Sequence, residues 1–248
     1  MPAEGSTHNP EPGAELPLSA AEQEYLESLF WLYEAGFPMT GANLARAMQL
    51  TPPTVHEMLR RLERNGWISR PSSRSIEFTD AGRAHAENLV GRHRMIERFL
   101  TDVVGVPWDE VHEEAEKLEY AMTPRFEAYV RASVGDAKTC PHGHPIKVHD
   151  RLAGVPLADC AVGAQVTIMR LENEAEDLLH YLKEAGVEPG KSGVIESNDG
   201  AEVRVAADGD TSVVTFSVAE TVSVLADPSP PPRTALPEQL VLGARYGR

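Results

Sequence analysis

Seven residues in three stretches carry the chemistry that stands out in this sequence. Glu24 and Glu27 are three apart, His93 and Glu97 four apart, and His112, Glu116 and Glu119 step by four and then three. On helices, each of these spacings places its side chains on one face. Neutral imidazole and carboxylate oxygen are the usual protein donors to divalent transition metals. Taken singly, each residue is a solvated surface charge. Gathered on three helix faces, this much negative charge is costly unless a cation neutralises it, so the set points to metal binding. Clustered Glu and His also describe carboxylate-bridged dimetal oxidases, but those need Glu-x-x-His pairs, and the set contains none. The chain has no P-loop and no G-x-S-x-G elbow.

The elements that must position these residues are readable from caps and periodicity. Ser19-Ala-Ala-Glu22 is a capping box, and Leu26, Leu29, Phe30 and Tyr33 follow at helical spacing until Gly36 and Pro38. Thr40 caps a short helix over 41–48. Thr51, with Pro52 at the first helical position, opens a helix carrying Val55, Met58, Leu59 and Leu62 on one side, stopped by Asn65-Gly66. Residues 67–78 read as a hairpin around a polar turn at 71–74. Thr79 caps a long helix to about residue 104, and Gly105 ends it. Helices follow over 108–121 and 124–133. After a connector rich in Gly, Pro and His, the pattern turns to a strand at Gln165–Leu171 and a helix over 174–185. Short β segments follow around Asn198-Asp199-Gly200 and Asp208-Gly209.

Helix, short helix, break, helix, hairpin is the order of a winged helix-turn-helix. There the second helix of the pair enters the DNA major groove with its N-terminal residues at base edges. Here those residues are Thr51, Pro52, Pro53, Thr54, His56 and Glu57, with Arg60, Arg61 and Arg64 further along. Glu57 either reads a cytosine amino group or faces away. Arg70 and Arg74 fall on or near the wing, where phosphate contacts are natural. The plainer reading is a helical bundle with a solvated arginine face.

Composition bounds these readings. Lys and Arg total 23 against 38 Asp and Glu, a net charge of −15 over 248 residues, and the isoelectric point is about 5.0. Such a sum alone argues against nucleic acid as a partner. Basic residues nevertheless crowd 60–74 and 83–98, so a local basic face on an acidic protein is expected. No apolar run approaches the roughly 18 residues of a spanning helix, so no membrane partner is expected. The first 17 residues are acidic and rich in Pro and Gly, unlike a signal peptide. Two cysteines, Cys140 and Cys160, cannot make a disulfide framework, which fits a reducing cytoplasm.

Several motifs recur together in a known family. Tyr25-Leu26-Glu27, Leu44-Ala45-Arg46-Ala47, Pro53-Thr54-Val55, Leu62-Glu63-Arg64-Asn65-Gly66, Arg92-His93-Arg94 and Val111-His112-Glu113-Glu114-Ala115 come in order, followed by Cys140-Pro141-His142-Gly143-His144-Pro145. In these the chain resembles the diphtheria-toxin-repressor family of metal-dependent transcriptional regulators, well over residues 19–145 and more weakly beyond. The resemblance implies a mainly α fold with a small β part: a disordered arm (1–17), a winged helix-turn-helix (18–80), a helical metal-binding and dimerisation domain (81–145), an SH3-like β-barrel (146–226) and a tail (227–248). It implies a homodimer on palindromic operator DNA, usually repressing metal-uptake genes when metal is bound. A metal-independent winged-helix regulator is the alternative.

The resemblance also implies two metal sites. One combines His93, Glu97 and His112 with ligands from the C-terminal module, for which Glu174 and Asp177 are the candidates and Glu172, Glu176 and His180 close rivals. The other maps onto Glu24, Glu116 and Glu119, with Glu27 as a further ligand. Tyr120 stands where the family usually has a histidine. Iron-responsive members carry sulfur ligands at the positions of Glu24 and Glu116. Hard carboxylates there suit Mn²⁺, so Mn²⁺ is the expected cofactor and Fe²⁺ the second choice. Cys140, His142 and His144 read as a structured connector, since structural zinc needs four ligands and only one cysteine is near.

Overall fold

A computed structural model describes residues 18–72, 75–119, 121–148, 153–207 and 209–231. The expected arm, the wing-tip residue Arg74, Tyr120 and nearly all of the expected tail lie outside the described residues.

The capping box forms as read: the Ser19 amide donates to Glu22 Oε2 (2.9 Å), and the Glu22 amide donates to Ser19 Oγ (3.4 Å). Helix α1 (Ala20–Glu34) buries most of its length against α2 (Gly41–Ala47), α3 (Pro52–Arg64) and α4 (Asp80–Phe99). Thr40 and Thr51 cap α2 and α3 through their side chains, and Pro52 occupies the first turn of α3. Leu26, Leu29, Phe30, Leu44, Met48, Val55, Leu59 and Leu62 form one core with Trp67, Ile68 and Ile76. Trp67 and Ile68 lead into the hairpin of β1 (Ile68–Ser72) and β2 (Ser75–Phe78), antiparallel with Ile68 opposite Phe78.

The long helix departs from expectation at its end. Regular α geometry stops at Phe99, and Leu100–Val104 form a wider π turn that Gly105 closes in the left-handed region. Helix α5 (Val111–Glu119) begins three residues later than expected, because residues 108–110 form a turn. Helix α6 (Pro124–Val134) follows under a Thr123 cap. Ile96, Leu100, Val111 and Ala115 make a small second core.

The C-terminal module is an open six-stranded antiparallel sheet in the order β3-β8-β4-β5-β6-β7. Its strands are β3 (Val155–Pro156), β4 (Gln165–Leu171), β5 (Ser192–Asn198), β6 (Glu202–Ala207), β7 (Asp210–Thr215) and β8 (Val222–Asp227). The expected SH3-like barrel is thus present as an open sheet. Helix α7 (Glu176–Glu184) covers it with Leu179 and Leu182, and the short α8 (Phe216–Ala219) adds Ala219. The module docks on its own chain: Lys183 pairs with Asp109 at 2.6 Å, and the Leu171 amide donates to the His142 carbonyl at 3.0 Å.

Candidate metal centre and DNA-binding face

Four side chains from three separate segments converge beneath the docked module. His93 and Glu97 come one turn apart from α4, His112 from the first turn of α5, and Glu174 from the loop before α7. His93 Nε2 lies 3.0 Å from Glu97 Oε1 and 3.2 Å from His112 Nδ1. His112 Nδ1 lies 3.0 Å from Glu97 Oε1 and 2.7 Å from Glu174 Oε2. The four ligand atoms lie within 4.8 Å of one another. Glu97 is fully buried and the two histidines nearly so.

A second set shares the two carboxylates: Glu97, Cys140, His142 and Glu174. The loop carrying Cys140 and His142 is pinched by a bridge between Thr139 and Pro145, with the Cys140 amide donating to the His144 carbonyl at 2.7 Å. Gly143 makes this turn feasible. Its φ is +92°, and a Cβ there would sit 1.9 Å from the Met169 carbonyl oxygen.

Hydrogen bonds on the outer side of the rings fix which nitrogen faces the centre. His93 Nδ1 meets Glu119 Oε2 at 2.9 Å, and donation there turns Nε2 inward, where it offers a lone pair once its own proton is lost. His142 Nε2 donates to the Trp108 carbonyl at 2.8 Å, leaving Nδ1 turned inward. Glu97 Oε2, His112 Nε2 and His142 Nδ1 are buried without a hydrogen-bond partner. Orphaned polar atoms of this kind are uncommon in native interiors and mark a bound ion or water, or a functional role. This donor set, imidazole and carboxylate with buried free valences, fits a divalent cation.

Electrostatics agree with the geometry. Burial pushes the His93 imidazole down, but Glu97 and Glu119 more than reverse this and lift it to about 10. Burial pushes the Glu97 and Glu174 carboxyls up, and Glu97 adds to that at Glu174; the surrounding histidines nevertheless hold both well below the usual range. Among the described residues, every ion pair of Glu97 and Glu174 is to a histidine. Protons on imidazoles are therefore the counter-charge that an ion would replace.

The remaining expected ligands divide. Asp177 is exposed, its Oδ1 accepting the Leu178 amide. The helix begins only at Glu176, because Asn173 Oδ1 holds the Ala175 amide, so Glu174 and Asp177 share no helix face. Of the rivals, Glu172 is engaged by Arg170 and Ser223, and His180 by Asp109. Glu119 backs His93, Glu116 lies 3.7 Å from His112 Nε2, and Glu27 lines a cavity with His93, His112 and Glu174. Glu24 is half-buried on α1. Among the described residues, Glu24, Glu27, Glu116 and Glu119 form no ligand cluster of their own.

On the opposite side, Thr51, Pro52, Pro53, Thr54, His56, Glu57, Arg60, Arg61 and Arg64 are all exposed along one side of α3, with Val55, Leu59 and Leu62 facing the core. Thr51 and Thr54 hydroxyls share a hydrogen bond at 2.8 Å. Arg61 is held by Glu22 through two contacts of 3.1 and 3.2 Å, and Arg70 by Glu63 at 2.6 Å.

Comparison with known proteins now decides the family. Residues 17–74 match the family model "Iron dependent repressor, N-terminal DNA binding domain". Residues 79–147 match "Iron dependent repressor, metal binding and dimerisation domain". The iron-dependent repressor IdeR of Mycobacterium tuberculosis is 31% identical over 205 residues, spanning 76% of this chain and 89% of that protein. The chain belongs to the iron-dependent repressor family. The diphtheria toxin repressor of Corynebacterium diphtheriae is 35% identical over 138 residues, 56% of this chain and 61% of that protein. A solved structure of a manganese-dependent transcriptional repressor in complex with manganese superposes with a TM-score of 0.73 at 27% identity, covering 83% of this chain and 99% of that one. This protein is thus a metal-dependent DNA-binding regulator with an iron-dependent-repressor architecture, and family members are repressors rather than enzymes. No helix among its described residues is long and apolar enough to cross a membrane.

Sequence reasoning missed two members of this repressor's buried cluster, Cys140 and His142. Counting only nearby ligands set the Cys140-x-His142-x-His144 run aside, one cysteine short of a zinc site. The missing partners, Glu97 and Glu174, come from distant segments. The alternation itself was the available signal.

Proposed function

We propose that this repressor is a homodimer that binds palindromic operator DNA in the cytoplasm when loaded with metal, with Mn²⁺ preferred and Fe²⁺ second, and that it silences metal-uptake genes. The buried meeting of His93, Glu97, His112 and Glu174 carries this reading. It joins α4 and α5 to the C-terminal module, and the cavity beside it reaches Glu27 on α1, the helix that packs against α3. Asp177 does not join that cluster, so Glu174 alone is proposed as the module's ligand there. Glu24, Glu27, Glu116 and Glu119 are proposed as the second, regulatory set, hard oxygen donors that suit Mn²⁺.

Bound metal would supply neutralising charge and a cross-link between α1 and α5. The chain's own residues do the rest. Glu24 and Glu27 belong to the DNA-binding half, and Glu116 and Glu119 to the dimerising half. Holding them together biases α3 and its partner copy toward one spacing, in proportion to the preference for that state. A coupling of about 1–3 kcal/mol is typical, and DNA must then tighten metal binding by the same factor. Exposed Val103, Val104, Leu118, Phe126 and Tyr129 offer the apolar surface that a second copy would cover. Thr51, Pro52, Pro53, Thr54, His56 and Glu57 are proposed to face bases. Arg60, Arg61 and the wing residue Arg74 are proposed to reach phosphates.

The test is DNA binding by the chelated protein at fixed salt, titrated with Mn²⁺, anaerobic Fe²⁺ and Zn²⁺ on promoter DNA of a manganese-uptake gene. Mn²⁺ should tighten specific binding about 5- to 150-fold, and Glu116→Ala should abolish the gain. Equal affinity with chelator present would leave a metal-independent regulator.

A further inference from the structure

The seam where the C-terminal module docks gathers a second set of ligand-type side chains, none of which belongs to the buried cluster. Asp109 stands in the turn before α5 with Glu110 beside it, and His180 and Lys183 come from adjacent turns of α7. Asp109 is buried although it lies at a domain junction, and Glu110 is exposed. The two oxygens of Asp109 have different neighbours. Oδ1 accepts from Lys183 Nζ at 2.6 Å, and Oδ2 lies 2.9 Å from His180 Nδ1. One ligand atom from each of Asp109, Glu110 and His180 lies within 4.8 Å of the other two.

The approach of His180 to Asp109 is close, yet it is not a hydrogen bond. Nδ1 is shielded from solvent and has no hydrogen-bond partner, so its N–H direction misses the oxygen 2.9 Å away. Two donor atoms that aim at a common third point have the geometry of ligands on one ion. Bonds of about 2.1 Å meeting at a right angle put their donor atoms about 3 Å apart. The other ring nitrogen, Nε2, faces Glu176 at 3.8 Å. A proton held there leaves the Nδ1 lone pair toward Asp109 and Glu110. Burial pushes the Asp109 carboxyl up, but Lys183 and His180 help to hold it below the usual range, so it is an anion.

We infer that Asp109, Glu110 and His180 form a divalent-cation site at the seam between the helical domain and the C-terminal module. One imidazole with two carboxylates suits Zn²⁺ or another borderline first-row ion, with water in the remaining positions. Any proton on Nδ1 leaves to solvent as the nitrogen–metal bond forms. Lys183 keeps Oδ1 and leaves Oδ2 to the ion. An ion here ties the turn before α5 to α7, so it fastens the module to the helical domain. The inference does not depend on what the buried cluster holds, nor on any DNA contact.

The test strips the full-length chain with chelator, equilibrates it with Zn²⁺ and counts bound ions, and measures crystals of the loaded protein at the zinc absorption edge. An anomalous peak should sit about 2.1 Å from His180 Nδ1. His180→Ala should bind one Zn²⁺ fewer per chain, and with 45% of that side chain exposed the variant should fold. Lys183→Met removes a positive charge from beside the site and should tighten this ion about tenfold; a bare ion-pair latch would gain no zinc from that change. Glu97→Gln should leave the peak at His180 in place. Equal zinc counts in wild type and His180→Ala overturn the inference. A peak at His180 without a difference in the count is binding at crystal concentration only and overturns it too. A peak that Glu97→Gln removes would make this ion part of the buried cluster and equally end the proposal. Should no crystals form, the counts for His180→Ala and Lys183→Met still decide.

Discussion

Two buried carboxylate networks lie side by side in this molecule and solve the same problem differently. Glu34, at the end of α1, is gripped by Arg94 of α4 through contacts of 2.9 and 2.5 Å. Arg94 also donates to the Pro145 carbonyl and to His144 Nδ1, and His144 in turn donates to the Leu171 carbonyl. One permanent cation thereby ties the DNA-binding half, the long helix, the linker and the sheet module together. One turn away, the ion-pair partners of Glu97 and Glu174 among the described residues are histidines. An arginine keeps its charge; an imidazole can surrender its proton to a metal. The first network is a fixed joint, and the second is the one proposed to exchange protons for a metal. The largest expected effect comes from breaking the joint. Arg94→Met should cost about 3–5 kcal/mol by stranding Glu34, and added Mn²⁺ should not restore the lost melting temperature.

Acid should find the joint next. Burial pushes the Glu34 carboxyl up, but Arg94 and His144 more than offset it and hold it down to about 2. A depressed carboxyl contributes stability that is complete above the unfolded-state value of 4.5 and lost as pH falls toward 2. The loss is about 3 kcal/mol at 1.36 kcal/mol per unit. Denaturant melts of wild type and Glu34→Gln should therefore converge as pH falls through that window. Parallel curves would show that the pair is not what acid breaks.

The histidine–carboxylate cluster should show a smaller, metal-dependent effect. Mn²⁺ at a hundred times its dissociation constant should raise the stability of the wild-type protein by about 2.7 kcal/mol. Glu97→Gln should remove most of that gain, read as the difference between metal-loaded and chelated forms of the same variant. Because the His93 imidazole is raised to about 10, the metal must displace protons, and its apparent affinity should climb with pH. Differential scanning fluorimetry with and without chelator, at two pH values, reads both.

The contrast also explains what was legible beforehand. The helices, their caps and the wing follow from local signals: Ser19, Thr40, Thr51 and Thr79 all cap through their side chains. His93, Glu97 and His112 were visible because helical spacing is written in sequence. Glu174 came only from resemblance, and its pairing with Asp177 failed because the Asn173 contact delays the helix start by two residues. Cys140 and His142 were unreadable as members of the cluster because their partners lie more than thirty residues away in either direction. Glu34, Arg94 and His144 carried no periodic signal at all. Long-range polar joints depend on which ends meet, and that is settled by packing.

A third pair of the same kind, at the surface, sharpens the rule. Glu22 is buried beside Arg61, whose side chain is 48% exposed. Removing Arg61 does not strand the carboxylate, since the Ser19 amide and hydroxyl (2.9 and 2.7 Å) and Asn65 Nδ2 (2.7 Å) still donate to it. A half-exposed guanidinium is also screened by solvent. Arg61→Ala should thus cost no more than about 1 kcal/mol, a small fraction of the Arg94 effect. The same substitution removes charge from the exposed side of α3, so the slope of DNA affinity against salt should fall by about one unit. A melt and a salt titration on the same variant separate the two roles. A stability loss matching that of Arg94→Met would mean that the number of remaining donors does not set the cost of a broken pair.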